Sequence, residues 1–349
     1  MGDTAEVADV TDIAPARDFD IVLVLSGGNA LGAFEVGVYQ ALHEHGLYPD
    51  WIVGTSIGAI NGALIAGSRR EHRLDVLRTF WRPNDYGWGT ADTSWFPVAM
   101  DTARRTVAAS WTLAAGRSGI FGPLLSSMSP WTANEPSLFE TDQLRETMDR
   151  LVDFDILNAG PCRFTATAVD LATGDDVVFD TRHKTLDARH IRASAALPVA
   201  FPPVEIDGRW LVDGGLSANL PLDPVLADPS PRPALVMAVD LLPLGQPLPL
   251  TIGEAAGRMQ DLIFAAQSRR TIERWTMAHA ARDDVSIALL RIAYTEQVEE
   301  VAAKAMDFSG PTVAQRWKAG YAAVMPMLDR MRDETLQIGK PGLNIVETA

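Results

Sequence analysis

Apolar residues in this chain fall into three rhythms, and each predicts a different kind of element. Unbroken runs come first. Asp20 to Leu25 (DIVLVL) and Ala234 to Leu241 (ALVMAVDL) predict strands buried on both faces, with shorter strands at Asp50-Trp51-Ile52-Val53 and Val285 to Leu290. Helical spacing is the second rhythm. Phe34, Val38 and Leu42 stand four apart on one face, and Gly46 stops that helix. Ile57 to Ala66 (IGAINGALIA) predicts another helix, whose Gly58, Ala59, Gly62 and Ala63 let it lie close to a sheet. The third rhythm is alternation. Arg163 to Val169 (RFTATAV), the turn Ala172-Thr173-Gly174-Asp175 and Val177-Val178-Phe179 predict a hairpin. Val204 to Ile206, Asp207-Gly208 and Arg209 to Val212 predict a second hairpin, running into Asp213-Gly214-Gly215. Between them a helix is expected around Leu186 to Leu197, ended by the prolines of Pro198-Val199-Ala200-Phe201-Pro202-Pro203.

Strand, helix, strand, helix between residues 20 and 66 opens a parallel α/β sheet. Past Leu250 the pattern turns mostly helical, apart from the strand at Val285 to Leu290. From Tyr86 to Leu138 it loosens, and Trp88, Trp95, Trp111 and Trp131 lie there among Gly, Ser, Pro and Thr. Two readings of that insertion stay open: a lid or acyl-binding cap that meets lipid, or an irregular segment packed on the core. Met1 to Asp18, rich in Ala and acids, has neither the basic start nor the apolar run of a secretory signal and is expected to be disordered.

Composition narrows the function classes. Of the 349 residues 47% are hydrophobic and 21% charged, ample for a globular core. The formal net charge of −15 argues against a nucleic-acid partner and against simple attraction to an anionic membrane. Arg69, Arg70, Arg73, Arg78 and Arg82 are interrupted by Glu71 and Asp75 and read as a solvated helix face. Cys162 is the only cysteine, which excludes an intrachain disulfide and a Cys-based metal cluster. No run approaches the roughly 18 apolar residues of a membrane span. A cytoplasmic protein is the expectation.

Candidate chemistry sits in the loops. Gly54-Thr55-Ser56-Ile57-Gly58, between a strand and a helix, has the form of a nucleophile elbow, a sharp turn that holds Ser56 Oγ above the sheet. A serine hydroxyl needs a base and an oxyanion hole. Of the candidate bases His43, His45, His72, His183, His190 and His279, none follows a strand in a loop shaped by Gly or Pro, where a triad histidine is expected. Asp213 does end a strand, and Gly214-Gly215 leaves its carboxylate unobstructed, although Asp-Gly-Gly taken alone reads first as a hairpin or loop turn. The loop Ser26-Gly27-Gly28-Asn29-Ala30-Leu31-Gly32 offers successive backbone N–H groups at a helix start, an anion site. It matches neither phosphate-loop pattern and has no lysine.

Together, and in this order, the glycine loop, the G-x-S-x-G elbow and the downstream D-G-G resemble the patatin-like phospholipases. The run Ala193-Ser194-Ala195-Ala196-Leu197-Pro198 and Phe201-Pro202-Pro203 is similar to the segment that family places before its aspartate. The resemblance covers residues 20 to 245. It implies a three-layer α/β/α sandwich with a mostly parallel central sheet, followed by a helical C-terminal extension. It also implies a dyad, with Ser56 as nucleophile and Asp213 as general base, and an oxyanion hole from the N–H groups of Gly27, Gly28 and Asn29. Gly32, Gly54, Gly58, Gly214 and Gly215 would shape the turns. No metal and no cofactor is implied. Two positions depart from the family pattern: Asn29 replaces the third loop glycine and Leu31 the usual basic residue.

The expected organisation is a disordered segment over 1–19, a catalytic domain over 20–250 and a helical extension over 251–349. The expected function is acyl-ester hydrolysis on a phospholipid or lysophospholipid, with transient contact to a membrane or lipid aggregate. An acyltransferase using the same acyl-serine and a lipid-binding protein with a weakened site are the alternatives. The helices after Leu250 are expected to dock on their own core or on a second copy in a homodimer.

Overall fold

A computed structural model describes residues 17–83, 93, 95–123, 136–295, 297, 300, 301 and 303–346. Among the described residues there are eleven strands: β1 Asp20–Leu25, β2 Trp51–Gly54, β3 Gly122–Pro123, β4 Phe139–Glu140, β5 Arg163–Asp170, β6 Asp176–Asp180, β7 Val204–Ile206, β8 Arg209–Asp213, β9 Ala234–Asp240, β10 Ser286–Ala293 and β11 Gly342–Val346. Nine form one sheet in the order β11-β10-β9-β1-β2-β5-β8-β7, with β6 also on β5; β3 and β4 pair separately. From β11 to β5 every neighbouring pair is parallel, while β6, β8 and β7 join antiparallel through the two expected hairpins. Asp207 and Gly208, with φ 54° and 76°, make the tight turn between β7 and β8.

The apolar runs become strands because both sheet faces are covered. Ile21, Leu23 and Leu25 of β1 join one core cluster and Val22 and Val24 the other, the period-2 division of a strand buried on both sides. Helices Ala33–Glu44, Ile57–Ala66 and Gly310–Arg332 cover the first face; Asp223–Ala227 and Ile252–Ala278 reach the second through Val225, Leu226, Ile272 and Trp275. The result is the three-layer α/β/α arrangement. Ala33–Glu44 and Gly310–Arg332 cross backbone to backbone, since a Cβ at Gly37 would overlap the Trp317 carbonyl and one at Gly320 the Phe34 carbonyl.

The C-terminal region does carry long helices, but it also contributes β10 and β11 to the sheet's edge. Nothing in the pattern of Gly342 to Val346 had pointed to a strand. Of the Tyr86–Leu138 insertion, Trp88 and Trp131 lie outside the described residues. Trp95, just before a helix Val98–Ala115, and Trp111, on it, are 73% and 51% exposed, whereas Ile120 and Phe121 are buried against the core. That helix is fastened to the C-terminal region by buried Arg105, which pairs with Asp101 (2.6 Å) and Glu300 (3.3 Å) and bonds Gln315; Glu300 in turn pairs with Arg316 at 2.7 Å.

Candidate active site

The sheet register brings the two candidate reactive groups together. Gly54 lies opposite Ala166, and Asp213 lies opposite Ala168, two positions further along the same strand. Ser56 is also two positions past Gly54, so Asp213 arrives at the same height from 157 residues downstream. Thr55 and Thr167, whose hydroxyls meet at 2.5 Å, stitch the strands between them.

Ser56 has φ 56° and ψ −124°, a backbone conformation that side-chain-bearing residues rarely adopt, and it opens the helix Ile57–Ala66. Its N–H donates to the carbonyl of Ser194 (3.1 Å) and lies 3.2 Å from Ser194 Oγ, so the segment before β7 braces the turn. The flanking glycines are steric necessities. A Cβ on Gly54 would overlap the Gly58 carbonyl, and one on Gly58 would overlap the Leu25 carbonyl of β1. Gly214 packs the same way on the Thr167 backbone, and a Cβ on Gly32 would press into Ile57.

Asp213 is 3% exposed. Burial pushes its carboxyl up to about 6, against which the Ser56 hydroxyl and the Gly215 N–H, 2.7 Å from Oδ1, pull it down. Such a carboxyl is ionised at neutral pH yet markedly more basic than a solvated aspartate. It can take a proton from the serine.

In the glycine loop the three expected N–H donors part company. Gly27 N–H is already given to the Asn219 carbonyl at 3.0 Å, so the expectation that it faces an oxyanion is corrected. The N–H groups of Gly28 and Asn29 donate to no other group among the described residues, and both residues line the cavity at Ser56. Asn29 takes φ 51°, the left-handed conformation it tolerates better than most residues. Leu31 is fully buried and brings no charge.

Asn219, which sequence reasoning passed over, holds the centre. Its Nδ2 donates to the Gly27 carbonyl (3.1 Å), and its Oδ1 sits so close that no Cβ fits on Gly27 and one on Gly215 would lie 3.0 Å away. A polar residue in a predicted loop carries no sequence signal for that clamp. Beneath the loop, Asn61 Nδ2 donates to the Gly32 carbonyl (3.0 Å) and to Glu35 Oε2 (2.8 Å), while Trp81 Nε1 donates to Asn61 Oδ1 (2.9 Å). Burial raises the Glu35 carboxyl well above the usual range.

The cavity is about 240 Å³ and mostly apolar, walled by Ile57, Ile60, Ile120, Leu144, Leu197 and Phe201 beside Ser56 and Asp213. Its far side comes from the C-terminal region: Gly257, Gln260, Asp261, Phe264 and Ala303 to Met306. Among the described residues no histidine lines it. His190 Nδ1 is engaged with Asp187 at a helix start, and His279 Nε2 with the Leu226 carbonyl.

A serine with strained backbone between β2 and a helix thus meets a buried carboxyl at the end of β8, beside an apolar cavity in an α/β fold. Residues 23–226 match the family model described as patatin-like phospholipase, and residues 254–337 a second model described as patatin phospholipase. The chain belongs to the patatin-like phospholipase family. It is 29% identical over 205 residues to an uncharacterized NTE family protein of Mycobacterium bovis, covering 59% of this chain and 45% of that one. It is likewise 29% identical over 205 residues to patatin-like phospholipase domain-containing protein 7 of Rattus norvegicus, covering 58% of this chain and 12% of that one. The chain thus matches less than half the length of these relatives. Among solved structures, VipD from Legionella pneumophila aligns with 14% identity and a TM-score of 0.42, over 90% of this chain and 67% of that one. Among the described residues no helix is long and apolar enough to cross a membrane.

Proposed function

We propose that this chain is a lipid acyl hydrolase that cleaves carboxylic esters through a Ser56–Asp213 dyad and an acyl-serine intermediate. One observation carries the reading: the Ser56 hydroxyl meets a buried carboxyl raised to about 6, at the floor of an apolar cavity. Ester carbon placed above Ser56 is attacked by Oγ as the proton passes to Asp213. The carbonyl oxygen becomes an oxyanion facing the N–H groups of Gly28 and Asn29, each such donor being worth on the order of 10²–10³ in turnover. Collapse of the tetrahedral species expels the alcohol, which takes the proton from Asp213. Water, deprotonated by the same carboxylate, then attacks the acyl-serine and restores both groups. The apolar walls suit the acyl chain. They also exclude water from the carboxylate, which keeps its basicity high.

The test is a fluorophosphonate probe followed by mass spectrometry of the labelled peptide, run beside hydrolysis of p-nitrophenyl butyrate. Label on Ser56 that disappears in Ser56→Ala and Asp213→Asn, together with loss of hydrolysis in both, is the expected result. A folded, monodisperse protein that takes no label and hydrolyses no ester refutes the proposal.

A further inference from the structure

The cavity at Ser56 abuts a second one. Gly257, Asp261 and Lys304 line both, and the second, of about 300 Å³, continues between Gln246–Leu250 and the start of the long helix Ile252–Ala278. The first is walled mainly by carbon. The second is polar to a comparable extent, with Glu254 and Arg258 on its wall.

Asp261 and Lys304 stand where the two meet, 4% and 8% exposed. Lys304 Nζ donates to Asp261 Oδ2 and to Gln297 Oε1, both at 2.7 Å. Gln297 is itself fixed, its Nε2 donating to the carbonyls of Leu241 and Tyr294 at 2.8 Å each. Both charged groups are nonetheless one bond short. An ammonium has three N–H bonds and two are used here, while Asp261 Oδ1 is buried without a hydrogen-bond partner. Unmet polar groups in the interior are costly, and here both open valences belong to residues that border two cavities, where a ligand would complete them.

We propose that Asp261, Lys304 and Gln297 form a headgroup subsite that takes a lipid head carrying both an anionic oxygen and a primary ammonium, as a phosphoethanolamine ester does. The proposal rests on the acyl-hydrolase reading above. With the ester at Ser56 and the acyl chain among Ile57, Ile60 and Leu197, the alcohol half extends toward Lys304. The phosphate oxygen accepts the remaining Lys304 N–H, and the ammonium donates to Asp261. Because the pair carries no net charge, a net-anionic head gains no Coulomb attraction from it, whereas a zwitterion meets a donor and an acceptor side by side. Arg258 does not upset that balance, since its guanidinium is turned to the carbonyls of Pro243 and Leu244 and Glu254 shares its wall. Leu248 and Leu250, which are 84% and 86% exposed, rim this cavity and set apolar side chains beside its polar mouth.

The experiment compares monomeric dihexanoyl phosphatidylethanolamine with dihexanoyl phosphatidylglycerol, in about 0.3 M salt so that the chain's net charge does not bias encounter. The wild type is expected to show a kcat/KM ratio of about tenfold or more in favour of the ethanolamine lipid. The double variant Lys304→Met/Asp261→Leu removes both charges together and leaves neither stranded in the interior. In it the ratio is expected to fall to about one. A wild-type ratio near one or favouring the glycerol lipid overturns the proposal, as does an unchanged ratio in a double variant that melts like the wild type. Should that variant not fold, calorimetric binding of the two lipids to Ser56→Ala decides, with the ethanolamine lipid expected to bind about tenfold tighter. Failure of the hydrolase reading looks different: the wild type turns over neither lipid nor p-nitrophenyl butyrate, while Ser56→Ala keeps its binding preference.

Discussion

Replacing Asp213 by asparagine is expected to stabilise the protein while abolishing its chemistry, and the size of the effect follows from the site. Burial lifts the carboxyl from 3.8 to about 6. At about 1.4 kcal/mol per pKa unit, keeping Asp213 ionised inside the fold costs roughly 3 kcal/mol. The folded state holds the proton more tightly than the unfolded one, so stability is lost as pH rises from about 3.8 to about 6 and the cost is full above that. Asparagine is neutral throughout and keeps an oxygen for the Gly215 N–H, which now lies 2.7 Å from Asp213 Oδ1. Allowing about 1 kcal/mol for a less favourable contact with Ser56, Asp213→Asn should gain about 2 kcal/mol at pH 8. In a chain of this size that raises Tm by about 2–4 °C. Thermal unfolding of both proteins at pH 8 and pH 4 measures it, and the gap should nearly close at pH 4. Hydrolysis of p-nitrophenyl butyrate should meanwhile fall by roughly 10²–10⁴. A variant that melts below the wild type at pH 8, or by the same margin at both pH values, refutes the argument that Asp213 is a desolvated base.

The same carboxyl sets a pH dependence: kcat/KM should rise with pH through an apparent pKa of about 6 and then level off, read from a pH–rate profile. Ser56→Gly should relieve the backbone at φ 56° and raise stability by about 1–2 kcal/mol in denaturant titration, with hydrolysis lost. Gly58→Ala drives a methyl into the Leu25 carbonyl and should cost more than about 2 kcal/mol, seen as a lowered Tm or insoluble protein. Asn219→Ala removes the clamp on the Gly27 carbonyl. It should lower kcat by about 10–100-fold with a smaller change in KM, because the donors of the loop shift relative to Ser56.

What the sequence by itself determined is the part written in short-range sterics and periodicity. The buried strands β1 and β9 follow from unbroken apolar runs, the helix after the first glycine loop from a spacing of four and both hairpins from alternation, patterns that depend only on how side chains leave a strand or a helix. Gly54 and Gly58 mark a turn that admits no Cβ, and the turn itself sets the strained angles at Ser56. Asp213 at the end of a strand was legible for the same reason. Only the tertiary structure decided how these pieces act on one another. Register across β2, β5 and β8 places Asp213 at the height of Ser56. Enclosure by distant segments removes its water and raises its basicity. Asn219 takes the Gly27 N–H and leaves those of Gly28 and Asn29 to the cavity. Helix Ile252–Ala278 and the segment at Lys304 close the far wall, and β11 joins the sheet although its own pattern does not announce a strand. Desolvation and hydrogen-bond partners depend on which groups lie within a few ångströms in space, and residues separated by 50 to 250 positions carry no local pattern that records it.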